Sequence, residues 1–272
     1  MYCPNYNKVS PLSTKTPLRR RCYGFILCER RMVERVIYGI KEWMADEMYS
    51  ENDILIYGGG GHAKSVIDLI RASGQFRIVG IVDDGMDVSS TVMDVPVLGG
   101  ADQLDALFAR GVHLAANAVG GIGAPEKRVA VFERLDQAGF RFPALVHPRA
   151  YVEPTARVAD GSQVFAFAYV GSDSTVGFGC ILNYGSITSH DCHLDDYVNL
   201  SPGATLAGGV SMGDCTQVGM RATVNLNLTV GSSVRIGNSA TVKCNVPDGT
   251  IIHAGAVYPP ARNPDTQGGN HV

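Results

Sequence analysis

The chain has 272 residues, 45% hydrophobic and 18% charged, the make-up of a folded globular protein with room for one or two domains. Its net charge of −3 hides an asymmetry: residues 1–50 hold nine Lys/Arg against five Asp/Glu, leaving fourteen basic and twenty-one acidic residues for the remainder, and an acidic body argues against a nucleic-acid surface. No apolar run approaches the length of a membrane span, and seven cysteines without a CxxC pair read as reduced thiols of a cytoplasmic protein.

Residues 1–50 carry Arg19-Arg20-Arg21 and no acidic residue before Glu29, a superficial likeness to a transit peptide. They show no sustained hydrophobic period before about Met32, and a short helix over 31–47 is the one element they suggest. The segment is expected to be an N-terminal extension from an upstream start codon, with Met44 or Met48 as the working start.

Residues 51–144 read as an α/β domain. Ile54 to Tyr57 is the first clear strand, and it runs into Gly58-Gly59-Gly60-Gly61-His62-Ala63-Lys64. A helical pattern follows from Ser65 to near Gly74, then a strand from Arg77 to Val82 closed by Asp83-Asp84. Strand, glycine turn, helix, strand and acid form a half-Rossmann unit. Glycines let a backbone approach phosphate at a helix N-terminus, and the acid can accept from a ribose or sugar hydroxyl. About ninety residues separate Ile54 from the repeats described next, enough for one mononucleotide-binding half, so the spacing favours a mononucleotide-type ligand over NAD. A third strand is expected over His113 to Ala116, leading into a second glycine-bearing loop, Asn117 to Gly123. An amphipathic helix from Glu126 to Ala138 should bury Val129, Phe132 and Leu135.

From Val146 to Val246 the chain falls into six-residue periods. Every sixth position from Val146 to Val242 is apolar except Thr188, and four residues after each comes a mostly small residue, among them Ala150, Ser162, Cys180, Cys192 and Ala204. This is the hexapeptide form of a parallel β-helix, three hexads to a coil, with each inward aliphatic above its counterpart eighteen residues on. The repeat domain is placed at 145–248 and a C-terminal segment at 249–272.

One hexad departs from the pattern. Thr188-Ser189-His190-Asp191-Cys192-His193 puts Thr188 and Cys192 inward, Cys192 as a compact apolar filler, and His190 with Asp191 on the turn side. A histidine beside a carboxylate is an elementary general-base unit, because the acid orients the ring and stabilises the imidazolium. The alternative is a solvated corner, the better reading for His193 alone. His190 and His193 do not supply the spacing of a three-histidine zinc site, and no metal is expected.

The glycine loop, Asp83-Asp84, Ser189-His190-Asp191-Cys192 and Asn199 to Val210 together resemble the NeuD/PglD-like acetyltransferases of bacterial sugar metabolism, over about Asp53 to Asn263. The resemblance implies a left-handed β-helix following a Rossmann-like domain, and a homotrimer binding acetyl-CoA in grooves between neighbouring helices. It makes His190 the general base and Asp191 its supporting acid. Asn199, near the acetyl thioester, with Gly208, Met220 and Asn238, would hold the coenzyme. Gly60, Gly61, His62, Asp83, Asp84 and Gly120 would hold a nucleotide-linked sugar. The reaction implied is direct transfer to a sugar amine in surface-polysaccharide or glycan biosynthesis. O-acetylation of sialic acid or another sugar, and a non-catalytic β-helix scaffold or binding module, remain the alternatives.

Overall fold

A computed structural model describes residues 49–260; the expected helix over 31–47, the candidate start residues and residues 261–272 of the C-terminal segment lie outside them. Five strands form the first sheet: β1 (Asp53–Tyr57), β2 (Arg77–Val82), β3 (Thr91–Val92), β4 (Val95–Gly99) and β5 (Leu114–Asn117), in the order β3-β4-β2-β1-β5. All pairings are parallel except the β3–β4 hairpin. Helix α1 (Gly61–Ser73) follows β1 and ends at Gly74, whose φ of 64° is the left-handed C-cap that glycine supplies without steric cost. Helices α2 (Leu104–Ala109) and α3 (Pro125–Gln137) cover the opposite face, so Ile54 and Ile56 pack toward α1 while Leu55 and Tyr57 pack toward α2 and α3. The His113 strand is therefore the fifth, not the third, because a hairpin and α2 intervene.

Beyond residue 144 the chain winds as a left-handed parallel β-helix of two-residue strands stacked in three sheets. Its first face contains Leu145, Gln163, Ile181, Asn199, Gln217, Arg235 and Ile251 at outward positions, paired coil to coil. The second carries Tyr151, Tyr169, Ile187 and Thr205, and the third Arg157, Thr175, His193 and Ser211. The second residue of each strand points inward, so Val164, Leu182, Leu200, Val218 and Ile236 form one aliphatic column within a continuous core. Each such side chain contributes roughly 1.5–3 kcal/mol by leaving water.

The repeat departs from expectation at its end. Val246 bridges to Val230 and Ile251 pairs with Arg235, sixteen residues apart where earlier coils use eighteen. Val246 therefore takes the aliphatic position rather than the small one, and the hexads resume as Val246, Ile252 and Tyr258. The coils continue to Tyr258, past the expected boundary at residue 248, because a corner shortened by two residues still returns an aliphatic side chain to the core.

The two parts share a continuous interface. Leu145, Phe165 and Ile181 of the solenoid pack into the α1 side of the sheet, and Phe178 and Tyr197 against the α3 side. On α3 the buried residues are Arg128, Phe132 and Leu135. Val129, expected on that face, is half-buried, and a guanidinium lies inward one residue before it.

Candidate active site

His190 lies on the edge where the second face turns into the third. Its Nδ1 is 2.7 Å from Asp191 Oδ2, and both side chains are exposed, by 63% and 65%. A carboxylate only accepts, so Nδ1 carries the proton and Nε2 is the bare, basic nitrogen of the neutral ring. Asp191 has φ of 57°, in the left-handed region that recurs once per corner and that Asp tolerates better than most side chains. Below the ring lies Gly208, one coil down, where any Cβ would meet the imidazole.

The other polar groups of this hexad stand apart. Cys192 is 1% exposed and donates its thiol to the Ala207 carbonyl at 3.3 Å; burial pushes its pKa up, which makes it a poor nucleophile. Cys180, also buried, is pushed up to about 12. His193 sits on the third face with its own partners, Asp195 Oδ1 at 3.0 Å and Thr175 Oγ1 at 2.5 Å. Among the described residues no cluster of three or more His, Cys, Asp or Glu could hold a metal ion.

Met220 and Asn238 line a groove of about 460 Å³ on a different edge, between the first and second faces. Its floor includes Gly219, Gly237 and Ala254, and the Met220 N–H donates to Asn238 Oδ1 at 2.9 Å. A Cβ on Gly219 would stand 2.6 Å from the Asn238 nitrogen, so the coils leave a shallow trough with small residues at its base. An open trough with a mostly apolar lining fits the extended arm of acetyl-CoA. Within one chain, however, the expected coenzyme residues Met220 and Asn238 and the expected base His190 fall on separate edges of the prism, and Gly208 belongs with His190.

Over the first face lie the loops at the carboxyl ends of β1, β2 and β5. Gly58, with φ of +100°, packs against Val119, and a side chain on Gly59 would strike Met86 Sδ. Gly60 and Gly61 border open space at the N-terminus of α1, where no side chain caps the helix. Asp83 accepts hydrogen bonds from the Gly59 and Gly85 amides at 2.7 and 2.8 Å. Asp84 accepts from the Ala101 amide at 2.7 Å, from Tyr57 Oη at 2.9 Å and from Arg134 at 3.1 Å, and the Ala101 bond foremost holds its carboxyl below the usual range. Both acids thus brace the loops that frame this mouth.

His62 points toward the solenoid. Its Nε2 is 2.9 Å from Gln163 Oε1, and its ring stands edge-on to Phe165. Burial, then the charge of Arg128, depresses its pKa to about 4, so the ring is neutral near pH 7. Gln163 in turn donates to the Asn117 carbonyl at 2.8 Å, and Gln217 Oε1 accepts from the Gly123 amide at 2.9 Å. Gly120 is a neighbour of His62, its place for a Cβ lying 3.8 Å from the histidine Cβ.

Two polar side chains are buried where the solenoid meets the N-terminal domain. Asn199, expected at the coenzyme, is 2% exposed and covered by Gly121, whose Cβ position is 3.3 Å away; its Nδ2 is buried without a partner. It occupies an outward position of the face that the glycine loops cover, which is why it meets a loop and not the groove. Arg128, unmarked by any motif, is 2% exposed, and its Nη1 donates to the carbonyls of Asn117 at 2.9 Å and Val119 at 2.8 Å. The spacing Arg128, Phe132, Leu135 at i, i+4 and i+7 was the signal available, and it was masked by the apolar Val129.

Residues 53–135 match the sequence family described as the PglD N-terminal domain. The chain is 32% identical to a histidine-substituted perosamine N-acetyltransferase from Caulobacter crescentus, solved with CoA and GDP-perosamine, over 76% of this chain and 95% of that one, with a TM-score of 0.71. It is 33% identical to the acetyltransferase domain of PglB from Neisseria gonorrhoeae in complex with acetyl coenzyme A, covering 76% of this chain and 98% of that one, with a TM-score of 0.69. A segment of 82 residues is 32% identical to the bifunctional protein GlmU of Syntrophotalea carbinolica, 30% of this chain but only 17% of that protein's length.

Proposed function

This chain belongs to the NeuD/PglD-like sugar acetyltransferases, and on that footing we propose that it transfers the acetyl group of acetyl-CoA to the amine of a nucleotide-linked amino-sugar, with His190 as general base. The observation that carries the assignment is the His190–Asp191 pair: Nδ1 bonded to the carboxylate at 2.7 Å leaves an exposed Nε2 to accept a proton from an attacking amine. Acetyl-CoA, when bound, supplies the activated acyl group. Met220 and Asn238, with the small floor of their groove, would hold its arm. Gly60, Gly61 and Gly120 would receive the nucleotide-linked sugar, with Asp83 and Asp84 keeping their loops in place. The N-acetylated sugar would then enter surface-polysaccharide or glycan assembly in the cytoplasm.

The same geometry supports a homotrimer. His190 and the groove lie on different edges of one prism, and a neighbouring copy related by threefold symmetry would bring a groove to each histidine. The outward Tyr151 and Ile187 on the second face, both exposed, are suited to such a contact. Light scattering should give three times the chain mass.

The test is thiol release from acetyl-CoA with UDP- and GDP-linked amino-sugars, alongside free sialic acid. Release stimulated by an amino-sugar nucleotide is expected. Stimulation by sialic acid alone would replace this reading with O-acetylation, and none with any acceptor would sink it.

A further inference from the structure

Arg128 is a buried cation without a counter-charge. Among the described residues no carboxylate pairs with it, its Nη2 is buried with no hydrogen-bond partner, and its remaining contacts are neutral: three carbonyls and the Phe132 ring, 5.0 Å from the guanidinium carbon. Burial pushes it down to about 10, leaving it charged near pH 7. Leaving a cation so placed is costly unless something offsets it, and an apolar residue of similar volume would pack there more readily.

The two carbonyls on Nη1 show what the placement achieves. A peptide unit is planar and trans, so its C=O and N–H point to opposite sides. Turning the Val119 carbonyl onto Arg128 therefore turns the Gly120 N–H away from it. The two preceding peptides are already committed, because the Ala118 N–H donates to the Tyr57 carbonyl at 2.8 Å and the Val119 N–H to Asn117 Oδ1 at 3.0 Å. The Gly120 N–H has no acceptor among the described residues. It lies beside α1, since Gly58 and Val119 are in contact and β5 runs parallel to β1. At the start of α1 the Ala63 N–H turns back to Gly60 at 3.1 Å, while those of Gly61 and His62 have no acceptor within the helix. Unpaired backbone donors thus lie in two neighbouring loops, one bordering the open space at Gly60 and Gly61 and the other in contact with His62, with the fixed charge of Arg128 behind the second loop.

We infer that Arg128 is a positioning residue for the substrate's diphosphate: it holds the Val119–Gly120 peptide with its N–H outward and places a buried positive charge behind the cup that receives the anion. The inference rests on the nucleotide-linked substrate proposed above, yet its test does not need turnover. An anion arriving at this cup gains the donors of two loops and offsets the unpaired cation, so the diphosphate, more than the base or sugar, should depend on Arg128.

Calorimetry with GDP and UDP, guanosine and uridine as phosphate-free controls, and CoA as a control for the solenoid groove, separates the possibilities. Wild-type protein should bind a nucleoside diphosphate. Arg128→Lys, which keeps the charge but loses the planar guanidinium that anchors on the Gly179 carbonyl through Nε while Nη1 holds the two loop carbonyls, should weaken that binding about tenfold or more and leave the affinities for nucleoside and CoA within about twofold. Gly120→Pro, which deletes the donor and spares Arg128, should give a similar loss and decides the matter if Arg128→Lys does not fold. The inference is overturned if wild type binds neither diphosphate, if folded Arg128→Lys keeps wild-type affinity, if nucleoside affinity falls as much as diphosphate affinity, or if Gly120→Pro binds normally. Diphosphate binding that depends on Arg128, in a protein that acetylates no amino-sugar nucleotide, would uphold this inference while removing the transfer reading.

Discussion

The imidazole of His190 rests on the backbone of Gly208: a methyl group built on that glycine would come within 2.5 Å of Cε1 and 2.6 Å of Nε2. Gly208 does not need glycine for its own φ, as the neighbouring Gly209 takes the left-handed conformation at 68°. Alanine at 208 should therefore fold normally and push only the ring. Gly208→Ala is expected to reduce kcat by roughly 10²-fold, the scale of a misplaced general base, with an unchanged melting temperature. A variant with wild-type kcat would show that the ring need not lie where it does.

Removing the base itself should cost as much. His190→Ala is expected to lower turnover by on the order of 10²-fold or more with little loss of folding, since the side chain is exposed. Asp191→Asn keeps a residue that tolerates the left-handed backbone while removing the carboxylate that fixes the Nδ1 proton. It should lower kcat by about tenfold, and steady-state rates across a pH series check both variants.

His62 makes stability depend on pH. Its pKa is depressed from 6.5 to about 4 on folding, so between those values the unfolded chain binds the extra proton. The stabilisation is complete above pH 6.5 and is lost as pH falls toward 4, by up to ~3 kcal/mol. Urea denaturation at pH 7 and pH 4.5 should show this loss. His62→Gln should show a smaller one, and equal losses in both proteins would assign the effect elsewhere.

Phe132 joins the two parts of the molecule. From α3 its ring lies 5.1 Å from that of Phe142 and 4.9 Å from that of Phe178, a corner residue of the solenoid. Phe132→Ala should destabilise the protein by about 3–5 kcal/mol, read as a lower denaturation midpoint at unchanged chain mass. A shift under 1 kcal/mol would mean that the interface repacks without it.

The solenoid was legible because its period is enforced at every coil: an inward column tolerates few residue types, so the pattern from Val146 onward survives in the letters. The His190–Asp191 pair showed as the one polar interruption. The β3–β4 hairpin did not show. Its turn residues Met93 and Asp94 both have positive φ, a conformation the sequence usually marks with Asn-Gly, and methionine gives no such sign. Arg128 and Asn199 were hidden for a related reason. Their burial is decided by which face of the prism the N-terminal domain covers, a long-range fact that neither period nor propensity encodes. The family resemblance placed Asn199 near the coenzyme; the covering loop at Gly121 shows what a local reading of one strand could not.

The polar contacts on the first face also constrain how this protein can evolve in length. A solenoid of near-identical coils invites duplication or loss of a whole turn, because either change preserves the inward columns. Here Gln163 is tied to His62 and Gln217 to the Gly123 amide, so each of these rungs has a fixed address on the N-terminal domain. Inserting or deleting a coil between Gln163 and Gln217 would leave one address without its partner. New turns can be added beyond Gln217 without disturbing either contact, which makes the molecule extensible at its C-terminal end.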